Sequence, residues 1–147
     1  MLSLRAQTPP AWLEAVLGDF DAFLVDHAAC ERKASATGMA FVVRYPDRPE
    51  ILGPLIAFAR EELEHFEQVY ALVQKRGLRL AADEKDPYVA PLAKHIRTGR
   101  DERLLDRLVM AAVVEARGCE RFGLVAKGLP EGELKDFYRD IERSESR

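Results

Sequence analysis

Apolar residues recur at helical spacing over most of this chain. From Leu55 through Phe58, Ala59, Glu62, His65, Phe66, Val69 and Leu72 to Val73 they follow the i, i+3, i+4, i+7 pattern. Arg60, Glu61, Glu64, Glu67 and Gln68 occupy much of the opposite side. A second stripe runs from Leu24 through His27, Ala28, Glu31 and Ser35 to Gly38. A third runs from Leu104 through Leu108, Ala111, Ala112, Glu115 and Cys119 to Phe122. Three long amphipathic helices are therefore predicted.

Prolines and glycines mark their ends. Thr8 and Pro9 open a short helix that Gly18 ends, and the first long helix follows from Asp19 to about Arg44. Its last segment, "MAFVVRY", is β-prone in isolation but continues the helical period. Pro49, with Asp47 as cap, opens the second long helix, which stops at Gly77. "LRLAADEKDPYVAP" reads as a loop, and "YVAPLAKHIRTG" as a short helix of about two turns. Asp101 caps the third long helix, which ends at Gly128, and Pro130 or Glu131 starts a fourth. Strand signals are nearly absent, so the expected architecture is all-α, a four-helix bundle with extra short helices.

The 147 residues suit one domain, 1–147, with a sizeable core. With 48% hydrophobic and 32% charged residues, the balance is that of helices with well-solvated outer faces. A net charge of −3 means that any nucleic-acid partner would be held by a local basic patch. Cys30 and Cys119 lie far apart and have no zinc spacing, which fits free thiols in a reducing cytoplasm. There is no apolar signal core and no run of about 18 apolar residues, so a cytoplasmic protein without membrane attachment is expected.

The apolar faces contain residues that do not belong in a core. Within "AFAREELEHFEQVY", Glu62 and His65 fall on the side meant for burial, and their three-residue spacing lets both reach one point. A buried unpaired carboxylate costs several kcal/mol, and an Arg partner or a metal cation is the simplest compensation. Alone, a Glu-x-x-His is as readily a chance pattern on a charged helix. The first long helix adds Glu31, with His27 one turn before it as a possible partner or simply a satisfied or partly exposed histidine. The third adds Glu115, enclosed in "MAAVVEA"; Glu120 competes with it but tracks with Arg121 and Lys127 toward a wetter side. The order Glu, Glu-x-x-His, Glu is that of ferritin-like carboxylate bundles, in which two helices each give a Glu and the other two each give a Glu-x-x-His, so a second Glu-x-x-His is expected on the fourth helix. Oxygen-rich sites with one imidazole per metal suit iron or manganese. On the fourth helix the matching residue is Glu145, in the terminal "RSESR".

The blocks "LVDHAACERKA", "AREELEHFEQV", "DPYV", "RLLDRLVMAAVVEARGCERF" and "RSESR" closely resemble the tRNA-(2-methylthio-N6-isopentenyladenosine) hydroxylase family, along essentially the whole chain. The resemblance implies a ferritin-like non-haem di-iron monooxygenase. Its members use dioxygen and externally supplied electrons to hydroxylate the isopentenyl group on a modified adenosine beside the anticodon. Carried over by motif, Glu31, Glu62, His65, Glu115 and Glu145 are the expected ligands of two iron ions. The implied partners are a tRNA anticodon stem-loop and an electron-donor protein or reductase. Family members continue with a further histidine, so the fourth bundle helix is expected to be cut short here.

For RNA phosphates, "QKRGLR" offers Lys75, Arg76 and Arg79, and "HIRTGRDERLLDR" offers Arg97, Arg100, Arg103 and Arg107. Trp12 and Tyr88 are among the aromatics that could stack on a base. Two other readings use the same residues. A ferritin- or rubrerythrin-like protein would oxidise iron or consume peroxide without an organic substrate. A metal-free helical interaction module would tolerate loss of the three buried carboxylates.

Overall fold

The Asp19 side chain accepts the Ala22 N–H at 3.1 Å, and the helix it caps, α2, runs Phe20–Arg44. In the computed structural model, which describes residues 4–82 and 84–146, five further helices accompany it. They are α1 (Pro10–Gly18), α3 (Pro49–Lys75), α4 (Val89–Ala93), α5 (Arg100–Gly128) and α6 (Glu133–Glu145). No strand occurs among the described residues, and "MAFVVRY" does end α2, as its period requires. No helix of the described residues is long and apolar enough to cross a membrane.

Several helix starts differ from the sequence reading. Asp47 does not cap α3; Arg48 holds that position and its side chain makes no cap bond. Pro49 in the first turn has no N–H to satisfy, which removes one of the donors a cap would serve. Asp101 is likewise not a cap. Gly99 holds that place, and Asp101 and Glu102 lie in the first turn of α5, where negative charge suits the helix dipole. Thr8 makes no cap for α1, because its side chain is bonded to Glu120 instead. The short helix α4 has five residues, less than two turns, and passes into three-residue turns at Lys94, His95 and Ile96. α6 starts after Gly132, whose φ of 145° is open to glycine, and not at Pro130 or Glu131. Gly77, at φ 69°, ends the second long helix as expected.

The chain forms two compact units, Asp19–Asp83 and a discontinuous one made of Met1–Gly18 with Glu84–Arg147. The first is the hairpin of α2 and α3. Arg76 Nε donates to Asp21 Oδ1 at 2.6 Å near one end, and Ser35 Oγ donates to the Ala59 carbonyl at 2.7 Å toward the other, so the helices are antiparallel. The helices approach closely at Gly38: a Cβ placed there would lie 2.9 Å from Ala59 Cβ. Leu24, Ala28, Val69 and Val73 are fully buried.

In the second unit α5 and α6 are also antiparallel. Cys119 Sγ lies 3.6 Å from the Glu142 carbonyl, and the Phe122 and Tyr138 rings pack at 5.9 Å between centroids. α1 rests on the C-terminal end of α5, with Leu13 and Leu17 against Gly128. The residues leading into α1 are fastened along α5 by Glu120. That carboxylate accepts the Thr8 N–H at 2.8 Å and the Thr8 hydroxyl at 2.9 Å. Arg117 pairs with the same carboxylate and donates to the Ala6 carbonyl at 2.8 Å.

Candidate metal centre

Facing stripes of α2 and α3 bring three of the predicted ligands together. Glu31 comes from α2, and Glu62 and His65 from one turn of α3; all three are buried, with exposures of 4%, 3% and 4%. Each offers a donor atom, and these atoms lie within 4.8 Å of one another. His65 Nδ1 is 3.8 Å from Glu31 Oε2 and 3.9 Å from Glu62 Oε1, beyond hydrogen-bond length.

His27, one turn before Glu31, is buried as well, and its Nε2 is 2.7 Å from Glu31 Oε1. It is thus the partner of Glu31 and not a partly exposed histidine. Burial pushes the Glu31 carboxyl up, and the His27 hydrogen bond and charge pull it down. With help from a Glu62 hydrogen bond and the His65 charge, they hold Glu31 below the ordinary carboxylate range. The grip on Oε1 leaves Oε2 as the oxygen nearer His65.

This donor set fits a transition-metal ion. Metal–ligand bonds of about 2.0–2.2 Å place two donors on one ion about 3–4 Å apart, and the two imidazole–carboxylate separations fall in that span. Two carboxylates to one imidazole is the composition that suits iron or manganese.

The remaining predicted ligands lie on the other unit. Glu115 is half-buried on α5, one residue before buried Ala116, and Glu145 is half-buried at the end of α6. Glu120, the competitor of Glu115, is half-buried and not directed to a wet side; it is occupied by Thr8 and Arg117. The arginines nominated for RNA are partly neutralised. Arg76 pairs with Asp21 at 2.6 Å. Arg97 forms a two-pronged pair with Asp106 at 2.7 and 2.9 Å and approaches Glu102 at 3.5 Å. The Arg97 hydrogen bonds hold the Asp106 carboxyl down at about 2. Lys75 and Arg100 are exposed, and Arg103 is half-buried. Sequence reading missed the surroundings of Arg121, which is half-buried between two rings rather than solvated. The only signal was its spacing from Arg117, since the rings come from distant parts of the chain.

Comparison with known proteins extends these observations. The family profile tRNA-(MS[2]IO[6]A)-hydroxylase (MiaE) matches residues 2–147. A curated relative from Pseudomonas putida, tRNA 2-(methylsulfanyl)-N(6)-isopentenyladenosine(37) hydroxylase, is 38% identical over 98% of this chain and 70% of its own length. The Salmonella typhimurium protein of the same name is 26% identical over 98% of this chain and 71% of its own. Among solved structures, a Synechococcus protein with aldehyde deformylating oxygenase activity superposes with a TM-score of 0.89 at 41% identity. That match covers 99% of this chain and 73% of the other. The fold is the all-α, ferritin-like one.

Proposed function

This chain belongs to the MiaE family of tRNA hydroxylases, and we propose that it acts on the isopentenyl group of 2-methylthio-N6-isopentenyladenosine beside the anticodon. The observation that carries the reading is the buried Glu31, Glu62 and His65 cluster in a chain matched by that family over nearly its whole length. Two irons, dioxygen as co-substrate and electrons from a separate donor protein complete the proposal. Glu115 and Glu145 join the three clustered residues as ligands, so that residues 1–147 work as one di-iron domain. A cytoplasmic location follows from a tRNA substrate.

Iron held there would supply the dioxygen activation that hydroxylation of an allylic C–H bond requires. The chain's own residues have distinct tasks. Glu62 and His65 are set by one helical turn, so their relative placement survives small movements of the helix. His27 holds Glu31 by one oxygen and biases the carboxylate toward its ionised, ligating form. Leu24, Ala28, Ala59 and Val69, all buried, keep water from the carboxylates.

The test is hydroxylation of prenylated tRNA by the iron-loaded protein, read by mass spectrometry of the released nucleosides. Glu62→Gln and Glu115→Gln are expected to abolish the product while leaving helicity intact. Full activity in either variant would remove that residue from the site. The 41% identity to a protein with aldehyde deformylating oxygenase activity motivates a second substrate in the same assay, a long-chain aldehyde. Turnover of the aldehyde without turnover of tRNA would replace the reading.

A further inference from the structure

Arg121 occupies an unusual setting on α5. Its guanidinium carbon is 4.8 Å from the Trp12 ring centroid and 5.6 Å from that of Tyr88, close enough for both rings to attract the charge. Nε is buried and has no hydrogen-bond partner among the described residues. The nearby carboxylates are committed elsewhere. Glu120 binds Thr8 and Arg117, and Asp86 Oδ1 accepts the Tyr88 and Val89 N–H groups at 2.6 and 3.1 Å. Both act on Arg121 only through space. Burial, and after it the positive charge of Arg117 one turn away, push the Arg121 pKa down. A planar cation that is partly desolvated, crowded by a second cation and without a paired carboxylate is a site that lacks its anion.

Resting on the tRNA reading above, we propose that Arg121, clamped between Trp12 and Tyr88, binds a backbone phosphate of the substrate RNA. Three features favour a nucleic-acid phosphate. The guanidinium fork matches phosphate geometry, and holding it between rings removes most of the rotamer freedom that binding would otherwise cost. Arg117 holds a second guanidinium on the same face of α5, fixed in place by Ala6 and Glu120 and partly neutralised by the latter. The chain as a whole is acidic, at −3, so RNA has to be held by local cations such as these. Trp12 and Tyr88 thereby orient the arginine instead of stacking on a base.

The test is fluorescence anisotropy with a labelled anticodon stem-loop carrying the prenylated adenosine, over a series of salt concentrations. It compares the unaltered chain with Arg121→Gln, Arg121→Met and Arg139→Gln. Arg121→Met keeps apolar contact between the two rings, so it reports on charge if the Gln variant unfolds. Loss of one phosphate contact is expected to weaken binding about 5- to 10-fold and to lower the slope of log K against log salt by about 0.7–0.9. Arg139→Gln, at a half-exposed position of α6 paired with Asp136, should change neither. Unchanged affinity and slope in both Arg121 variants would overturn the proposal while leaving the substrate reading in place. No RNA binding by the unaltered chain would instead strike the substrate reading, and the RNA assignment of Arg121 with it. Inorganic phosphate provides the last arm. If it raises the melting temperature only when Arg121 is present, while RNA binds all variants equally, Arg121 is a site for free phosphate and the RNA assignment is wrong.

Discussion

Gly38→Ala isolates how closely α2 and α3 approach. The new Cβ would meet Ala59 Cβ at 2.9 Å, Phe58 Cδ1 at 3.0 Å and Ala59 Cα at 3.2 Å. Carbon atoms prefer about 3.5–4.0 Å, so the helices must separate by roughly half an ångström. Ala59 has no rotamer with which to give way, and a shift of α3 also strains the Ser35 bond to the Ala59 carbonyl. Overpacking of this kind costs about 1–3 kcal/mol. Replacing a mid-helix glycine by alanine returns about 0.8–1 kcal/mol through helix propensity. The net expectation is a loss of about 1 kcal/mol, or a fall of roughly 3 °C in melting temperature for a chain of this size. Gly118→Ala on α5 is the matched control. Its Cβ would sit 3.6 Å from the Phe122 ring, an ordinary contact, so the propensity gain stands alone. Urea denaturation of both variants should give shifts of opposite sign. If Gly38→Ala stabilises as much as Gly118→Ala, the helices are not in contact there and the packing argument fails.

Two further outcomes follow from the buried and half-buried charges. His27→Ala removes the hydrogen bond to Glu31 and should lower iron affinity about 10- to 100-fold, measured by competition with a chromogenic chelator; unaltered affinity would mean that His27 does not orient the carboxylate. Burial pushes the Glu120 carboxyl up, but its bonds to Thr8 and Arg117 outweigh this and leave it below the usual 4.5. A depressed folded-state pKa contributes stability above the unfolded value, which is lost as pH falls through the folded one. The stability advantage over Glu120→Gln should therefore hold above about pH 5 and shrink below 4.5. An advantage that stays constant down to pH 3 would show that the charge of Glu120 contributes nothing.

The residues that were legible in the sequence are those whose role is local. Glu62 and His65 were readable because a three-residue spacing on a helix fixes their relation before any tertiary structure exists. Glu31 was readable because its own stripe is otherwise small and apolar. Asp47 and Asp101 were read as caps, but neither holds the cap position. Where a helix opens with proline or glycine, a side-chain cap is optional, and sequence pattern alone cannot tell which acidic residue serves. Glu120 was misread because its partners are far away in sequence; Thr8 is 112 residues distant. The rings around Arg121 escaped for the same reason.

The fastening of Thr8 to Glu120 also bears on the order in which the chain can be built. α2 and α3 are adjacent in sequence and joined by a short turn, so their hairpin can close as soon as Arg76 has left the ribosome. α1 cannot settle then, because the helix it rests on has yet to be synthesised. Of the described helices, α1 is thus the one that waits longest for its partner, holding Trp12 and Leu13 in solvent until α5 arrives. During that interval the segment carrying Trp12 and Leu13 is the natural binding point for a chaperone.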